Sequence, residues 1–216
     1  MTQVSVSIVD YGMCNLLNVA RAFEHCGAKV NVVEEPRAVG FADRLVVPGV
    51  GAFSDSMKEI IERGFDDEIR NFVGTGRPIF GICVGMQMLF DTSEEFGEHA
   101  GLGILPGRVR AVPSLGTDGQ VQRVPHIGWN HLIETEGGRD WRDTLLAPMV
   151  GTEPAVYFVH SFSAVPAVVA DRLADCYYGG HRICAAVQRN NLMASQFHPE
   201  RSGPVGLAMI RQFLVG

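Results

Sequence analysis

The stretch PIFGICVGMQMLF, residues 78–90, sets an apolar run of strand character against a helix-like pattern, with a lone cysteine between two glycines at the junction. Gly81, Cys83 and Gly85 have the spacing G-x-nucleophile-x-G, in which a strand turns sharply into a helix. The glycines let the backbone crowd that turn, which holds Cys83 in a strained, exposed pose and directs the Val84 amide toward any carbonyl bound there. A helix N-terminus at this point favours thiolate over thiol. The same spacing also suits a small buried hydrophobe at a strand end, because free cysteine is among the most buried residue types.

Through the first hundred residues strand-like and helix-like periods alternate, the pattern of a parallel sheet with helices on its faces. VSVSIVD (4–10), KVNVVE (29–34) and RLVVPG (44–49) read as strands, with PIFGIC as a fourth. Residues 15–25 read as a helix. SDSMKEIIERGFDDEIRNFV (54–73) reads as another, with Ser56 and Glu59 at capping-box spacing, and MQMLFDTSEEF (86–96) as the helix leaving Cys83. From about residue 101 the pieces are shorter. GRVRAVP (107–113), HIGWNHLIE (126–134), AVYFVHSF (155–162), HRICAAVQ (181–188) and LMASQFHPE (192–200) predict a partly antiparallel extension of the same sheet. A last helix over about 204–214 puts Val205, Ala208, Met209 and Phe213 on one face. The expected fold is α/β, a mixed, mostly parallel central sheet flanked by helices, in a single domain over 1–216.

Composition excludes several function classes. With 216 residues and 46% hydrophobic content the chain can bury a sizeable core. A net charge of −6 and the absence of Lys/Arg clusters argue against DNA or RNA as partner. The five cysteines, Cys14, Cys26, Cys83, Cys176 and Cys184, are odd in number and form no CxxC pair, which points to a reducing compartment. No signal-peptide pattern and no run of about 18 apolar residues occur, so a cytoplasmic protein without a membrane partner is expected. The histidines never pair as HxxxH, and neither GxxxxGK[ST] nor a GxGxxG after the first strand is present. No metal and no nucleotide cofactor is expected.

A thiol that attacks an acyl group needs a base, and the base an orienting group. FHPE (197–200) can supply both. In an extended segment His198 and Glu200 project to the same side, with Pro199 holding the backbone extended, and the carboxylate fixes the imidazole tautomer and stabilises imidazolium. H-x-E by itself equally fits a surface strand end. PGVG (48–51) offers backbone amides to an oxyanion or forms a simple tight turn. Gln87, four residues after Cys83, meets a polar substrate or caps a solvent edge. His160 to Phe162 line the site or end an ordinary strand, and Trp129 reads as core.

In order along the chain, PGVGAF (48–53), GICVGMQMLF (81–90), PHIGWN (125–130), YFVHSF (157–162) and QFHPERSG (196–203) resemble the class I, or triad, glutamine amidotransferases. The resemblance runs over residues 4–214. PGVGAF, GWN and DYGMCNL (10–16) narrow it to the glutaminase subunits of imidazole glycerol phosphate synthases. It implies a flavodoxin-like sheet and glutamine as substrate, with no cofactor. By the same resemblance Cys83 attacks the side-chain amide, His198 shuttles the proton and Glu200 orients the histidine. A glutamyl thioester forms, ammonia leaves and water releases glutamate. Gly51 and the Val84 amide serve the oxyanion, while Val50, Gln87, His160, Ser161 and Phe162 surround the glutamine.

The resemblance also implies a separate, HisF-like (β/α)₈-barrel cyclase subunit that receives the ammonia in histidine biosynthesis, with Asn15, Trp129 and Arg201 at the interface and low activity in the partner's absence. Cys14 stands where the family commonly has glycine and Arg201 where lysine is usual, a change that keeps the charge and alters its geometry. With GEHAGLG (97–103) and ICAAV (183–187), these departures also fit relatives that supply a cyclase-like partner in surface-sugar (lipopolysaccharide) biosynthesis. Two other readings are a hydrolase of γ-glutamyl or peptide substrates using the same thiol, and a catalytically silent binding subunit in which Cys83 is structural.

Overall fold

The computed structural model describes residues 3–137 and 139–216, and its centre is an eight-stranded sheet. In chain order the first elements are β1 (Ser5–Val9), α1 (Leu16–His25), β2 (Lys29–Val33), β3 (Leu45–Gly49), α2 (Phe53–Glu62), α3 (Phe65–Gly74) and β4 (Ile79–Cys83). A single helical turn, α4 (Val84–Gln87), leads to β5 (Phe90–Ser93), β6 (His99–Ala100), β7 (Leu105–Ala111), β8 (His126–His131) and β9 (Ile133–Glu134). The remainder is β10 (Ala155–His160), β11 (Phe162–Pro166), β12 (Arg172–Tyr178), β13 (His181–Arg189), β14 (Leu192–Ser195) and α5 (Gly203–Val215).

The central sheet has the order β2-β1-β3-β4-β14-β13-β12-β9. Its first five strands pair parallel and its last three antiparallel. Every residue of β3 and β4 is buried, and strands covered on both faces carry continuous rather than alternating apolar runs, as these do. α5 closes the core: Phe213 meets Phe23 of α1 edge-on at 6.0 Å and Phe80 of β4 at 5.4 Å. Its buried face is Met209, Ile210, Phe213 and Leu214, whereas Val205 and Ala208 are only half-buried. Among the described residues no helix is long and apolar enough to cross a membrane.

Four sequence expectations change. Residues 54–73 form two helices, because Gly64 takes φ 76 between them, a left-handed conformation that glycine enters at little cost. The capping box is absent: Ser56 is buried inside α2, and the first amide of that helix, Phe53 N, donates to Glu95 Oε2 at 2.6 Å. A carboxylate from elsewhere in the fold thus caps the positive end. The helix after Cys83 stops after one turn, because the returning segment takes its next carbonyls: Leu102 N donates to Met88 O at 2.7 Å and Leu105 N to Leu89 O at 2.9 Å. Finally, only β9, β12, β13 and β14 extend the central sheet. β10 pairs with β8 alone, and β11-β7-β5-β6 make a separate four-stranded sheet.

The topology brings three sequence-distant turns to one place. β3, β4 and β14 are parallel neighbours, with Gly49 opposite Cys83 and Ser195 opposite Ile82, so PGVG, GICVG and QFHPE all leave the sheet at adjacent carboxyl ends. Open α/β sheets bind ligands at that edge.

Candidate active site

Cys83 has φ 56 and ψ −112, a left-handed conformation for a residue with a side chain, and strain of this kind costs on the order of 1–3 kcal/mol. The glycines around it are required sterically. A Cβ on Gly85 would lie 1.9 Å from Val47 O, and one on Gly49 would lie 2.6 Å from the Tyr11 hydroxyl. Tyr11, fully buried, donates to Pro48 O at 2.9 Å and ties the end of β3 to the elbow. All five cysteines are free. Burial pushes Cys176 and Cys184 up to about 12, and burial with the nearby Asp10 does the same to Cys14, so those thiols stay protonated.

His198 lies three residues beyond the end of β14. Its backbone amide donates to Tyr157 O at 3.0 Å and its carbonyl accepts from Ser202 Oγ at 2.6 Å, which fixes the residue at both ends. Nδ1 donates to Glu200 Oε1 at 2.8 Å, leaving Nε2 for Cys83. Pro199 to Arg201 form a 3-10 turn rather than the anticipated extended segment. Proline's fixed φ suits the first position of such a turn, and the histidine and carboxylate meet across it. Burial opposes charge on His198, but hydrogen bonds and charge from Cys83 and Glu200 outweigh it and raise the imidazole to about 10. The ring therefore carries a proton at neutral pH when it faces a thiolate. Removing the sulfur, as in Cys83→Ala, should return His198 toward the ordinary imidazole range in an NMR titration; a value unmoved from about 10 would show that Cys83 is not its partner.

A cavity of about 230 Å³ opens above these residues. It brings together Val50, Gly51, Cys83, Val84, Gln87, His160, Ser161, Phe162 and His198, with Glu200 placed behind His198. Three lining residues escaped the sequence reading: Glu95, Pro125 and Val159. Glu95 lies in the segment read as helix, in the turn that follows β5; recognising a strand and turn there was the missing signal.

Several polar groups are already engaged. The Val50 amide donates to Met13 O at 3.1 Å, beside Gly51 at φ 91. Gln87 is buried rather than at a solvent edge, and its Nε2 donates to Phe162 O and to Gln196 Oε1, both at 3.0 Å. Gln196 in turn directs Nε2 at Cys83 Sγ, 3.7 Å away. His160 uses both ring nitrogens within the protein, Nδ1 to Phe162 O at 2.8 Å and Nε2 to His126 Nδ1 at 3.0 Å. Burial holds His160 down to about 3 and His126 to about 4, so both rings are neutral.

A nucleophile at an elbow, a histidine hydrogen-bonded to a carboxylate, and a cavity lined by both the sulfur and the histidine constitute an acyl-transfer site. The family profile described as "Glutamine amidotransferase class-I" matches residues 7–216. The chain belongs to this amidotransferase family. A Legionella pneumophila (strain Lens) protein named imidazole glycerol phosphate synthase subunit HisH 1 is 51% identical to the amidotransferase, over 97% of this chain and 98% of the relative. A HisH subunit of the same synthase from Syntrophotalea carbinolica is 44% identical over 96% and 98%. A crystal structure of a glutamine amidotransferase (23% identical, TM-score 0.69, 97% of each chain) and the structure of PurLQS from Thermotoga maritima (17%, 0.70, 99% and 98%) share the fold.

Asn15, Trp129 and Arg201 do not line the amidotransferase cavity. All three are exposed, Trp129 by 59%, against the expectation that it is core. β8 alternates in burial, and Trp129 lies on its outward side. Its ring stands edge-on to Tyr157 at 6.2 Å, and the Arg201 guanidinium lies over the same tyrosine at 4.5 Å, a cation–π arrangement.

Proposed function

We propose that this amidotransferase is the glutaminase subunit of an imidazole glycerol phosphate synthase in histidine biosynthesis, working as a single domain in the cytoplasm. The observation that carries the reading is the meeting of Cys83 and His198 at one cavity, beyond the adjacent carboxyl ends of β4 and β14, with His198 Nδ1 donating to Glu200 Oε1. The names borne by full-length relatives at 44–51% identity supply the pathway, and five free cysteines fit a reducing compartment.

In this reading the Cys83 thiolate attacks the side-chain carbonyl carbon of glutamine. The oxyanion forms beside the Val84 amide, at the start of α4, and Gly51. His198 gives its Nε2 proton to the departing nitrogen, ammonia leaves, and a glutamyl thioester remains. The neutral histidine then takes a proton from water, hydroxide adds to the thioester, and glutamate departs as the thiolate re-forms. Glu200 keeps Nδ1 protonated and the ring aligned throughout. Glu95, the only carboxylate lining the cavity among the described residues, faces the substrate's α-ammonium, and the Ser161–Phe162 bend packs against the substrate.

Ammonia released into neutral water is protonated and loses its nucleophilic lone pair, so the acceptor site belongs on a docked partner. We assign that partner as a separate (β/α)₈-barrel cyclase, seated on the exposed face carrying Asn15, Trp129 and Arg201. Exposed tryptophan and arginine are the residue types that dominate interface energies. Trp129→Ala should weaken association with the cyclase at least about tenfold, measured by calorimetry, with glutaminase activity at saturating partner largely kept. Unchanged affinity would remove Trp129 from the interface. The whole reading is tested by glutamate release with and without the co-purified partner: release from glutamine, stimulated by a barrel cyclase, is expected. Turnover only of γ-glutamyl peptides would overturn it, and co-purification with a cyclase of surface-sugar synthesis would change the acceptor.

A further inference from the structure

We propose that His126 is a positioning residue of the glutaminase site, acting through His160 to hold the Ser161–Phe162 bend that forms one wall of the cavity. The inference rests on the glutaminase reading above for its consequence, and on a buried hydrogen-bond chain for its geometry. His126, the first residue of β8, and His160, the last of β10, are cross-strand partners at one end of the β8–β10 pair, and their rings meet at 3.0 Å. Phe158 stacks on one side of His126 at 4.8 Å and Tyr178 on the other at 4.0 Å, with the Tyr178 hydroxyl donating to Arg123 O at 2.5 Å.

The proton positions follow from the fixed ends of the chain. Phe162 O only accepts, so His160 Nδ1 donates to it and the Nε2 of that neutral ring is an acceptor. His126 Nδ1 must then donate to His160 Nε2, and its own Nε2 accepts from Asn130 Nδ2 at 3.3 Å. Asn130 is oriented in turn, because its Nδ2 also donates to Tyr177 O at 2.8 Å and its Oδ1 accepts from His131 N at 2.8 Å. Each partner has one compatible role, and a proton added to either ring would set N–H against N–H.

The chain ends at a carbonyl that matters to the pocket. Phe162 O, two residues beyond His160, accepts from both His160 and Gln87, and Ser161 between them lines the cavity. Without the His126 donor, His160 Nε2 becomes a buried unsatisfied acceptor, and such a group turns or takes up water to escape the penalty. His160 then no longer holds its own turn. The effect falls on substrate binding rather than on the thiol, histidine and carboxylate.

The test compares two substitutions in the full chain assayed with its synthase partner. His126→Phe keeps a ring between Phe158 and Tyr178 but removes the donor; His126→Asn places an amide N–H near the position of Nδ1–H. We expect His126→Phe to raise KM for glutamine at least about tenfold with kcat within about threefold, and His126→Asn to recover KM to within about threefold of wild type. Unchanged KM in His126→Phe, or a folded His126→Asn as impaired as the phenylalanine variant, would overturn the proposal. Should His126→Phe fail to fold, ring nitrogen-15 spectra of the wild-type chain at neutral pH decide: both His126 and His160 must be neutral with the proton on Nδ1, and an Nε2–H form of either ring refutes the relay. Those spectra do not depend on glutamine turnover, so failure of the glutaminase reading and failure of the relay are distinguishable.

Discussion

Replacing Cys83 with alanine should lower glutamine hydrolysis by about 10⁴-fold or more, because removing the nucleophile of a covalent mechanism removes the route and not merely one contact. The fold should survive. The elbow is shaped by Gly85 packing against Val47 of β3, by Gly49 at the end of β3 packing against Tyr11 and Gly85, and by the Tyr11 tether, none of which involves the sulfur. Melting within a few degrees of wild type is expected, together with loss of labelling by a glutamine-like electrophile that modifies the wild-type thiol. Retention of wild-type turnover by the alanine variant would sink the thioester mechanism. A wild-type chain that releases no glutamate with its partner and resists the electrophile would instead establish a silent subunit.

The nucleophile was legible because its information is local. GICVG encodes a turn that needs glycine on both sides, and the buried runs LVV and IFGI announce strands covered on both faces. HPE was legible for a subtler reason: residues two apart can share a side, and here they do so across a 3-10 turn although an extended segment was expected. What escaped was tertiary. Glu95 caps α2 from the turn after β5, in a segment whose sequence has helical character, and nothing in FSDSMKE reports a cap 42 residues away. β12 carries an aspartate, Asp175, buried only because Arg172 and Arg182 reach it, so RLADCYY lacks a strand's apolar signature. His126 and Gln196 matter through partners set by strand register, which is fixed by pairing and not by either sequence alone.

A single added methyl should test whether the elbow's geometry, as distinct from its chemistry, sustains activity. Gly85→Ala puts a Cβ 1.9 Å from Val47 O and 2.9 Å from Val47 C, and both obstacles are backbone of β3 at the centre of the sheet. They cannot rotate away as a side chain would. Either β3 moves from β4 or α4 lifts, and each displaces Cys83, Val84 and the PGVG turn relative to His198, which is anchored separately by Tyr157 O of β10 and the Ser202 hydroxyl. Overpacking of this kind costs about 1–3 kcal/mol or more, and a misplacement near 1 Å costs on the order of 10²-fold in rate. We therefore expect a lowered denaturation midpoint and at least about 100-fold loss of kcat/KM. Gly40→Ala is the control: nothing lies within 4 Å of its added Cβ, and a change within about 0.5 kcal/mol is expected. A Gly85→Ala protein with wild-type stability and turnover would show that the turn tolerates a side chain, and the glycine at this position would then have no steric reason. Loss of activity at nearly unchanged stability would be equally informative, because it would place the strain in the alignment of the thiol with its histidine and not in the sheet that carries them.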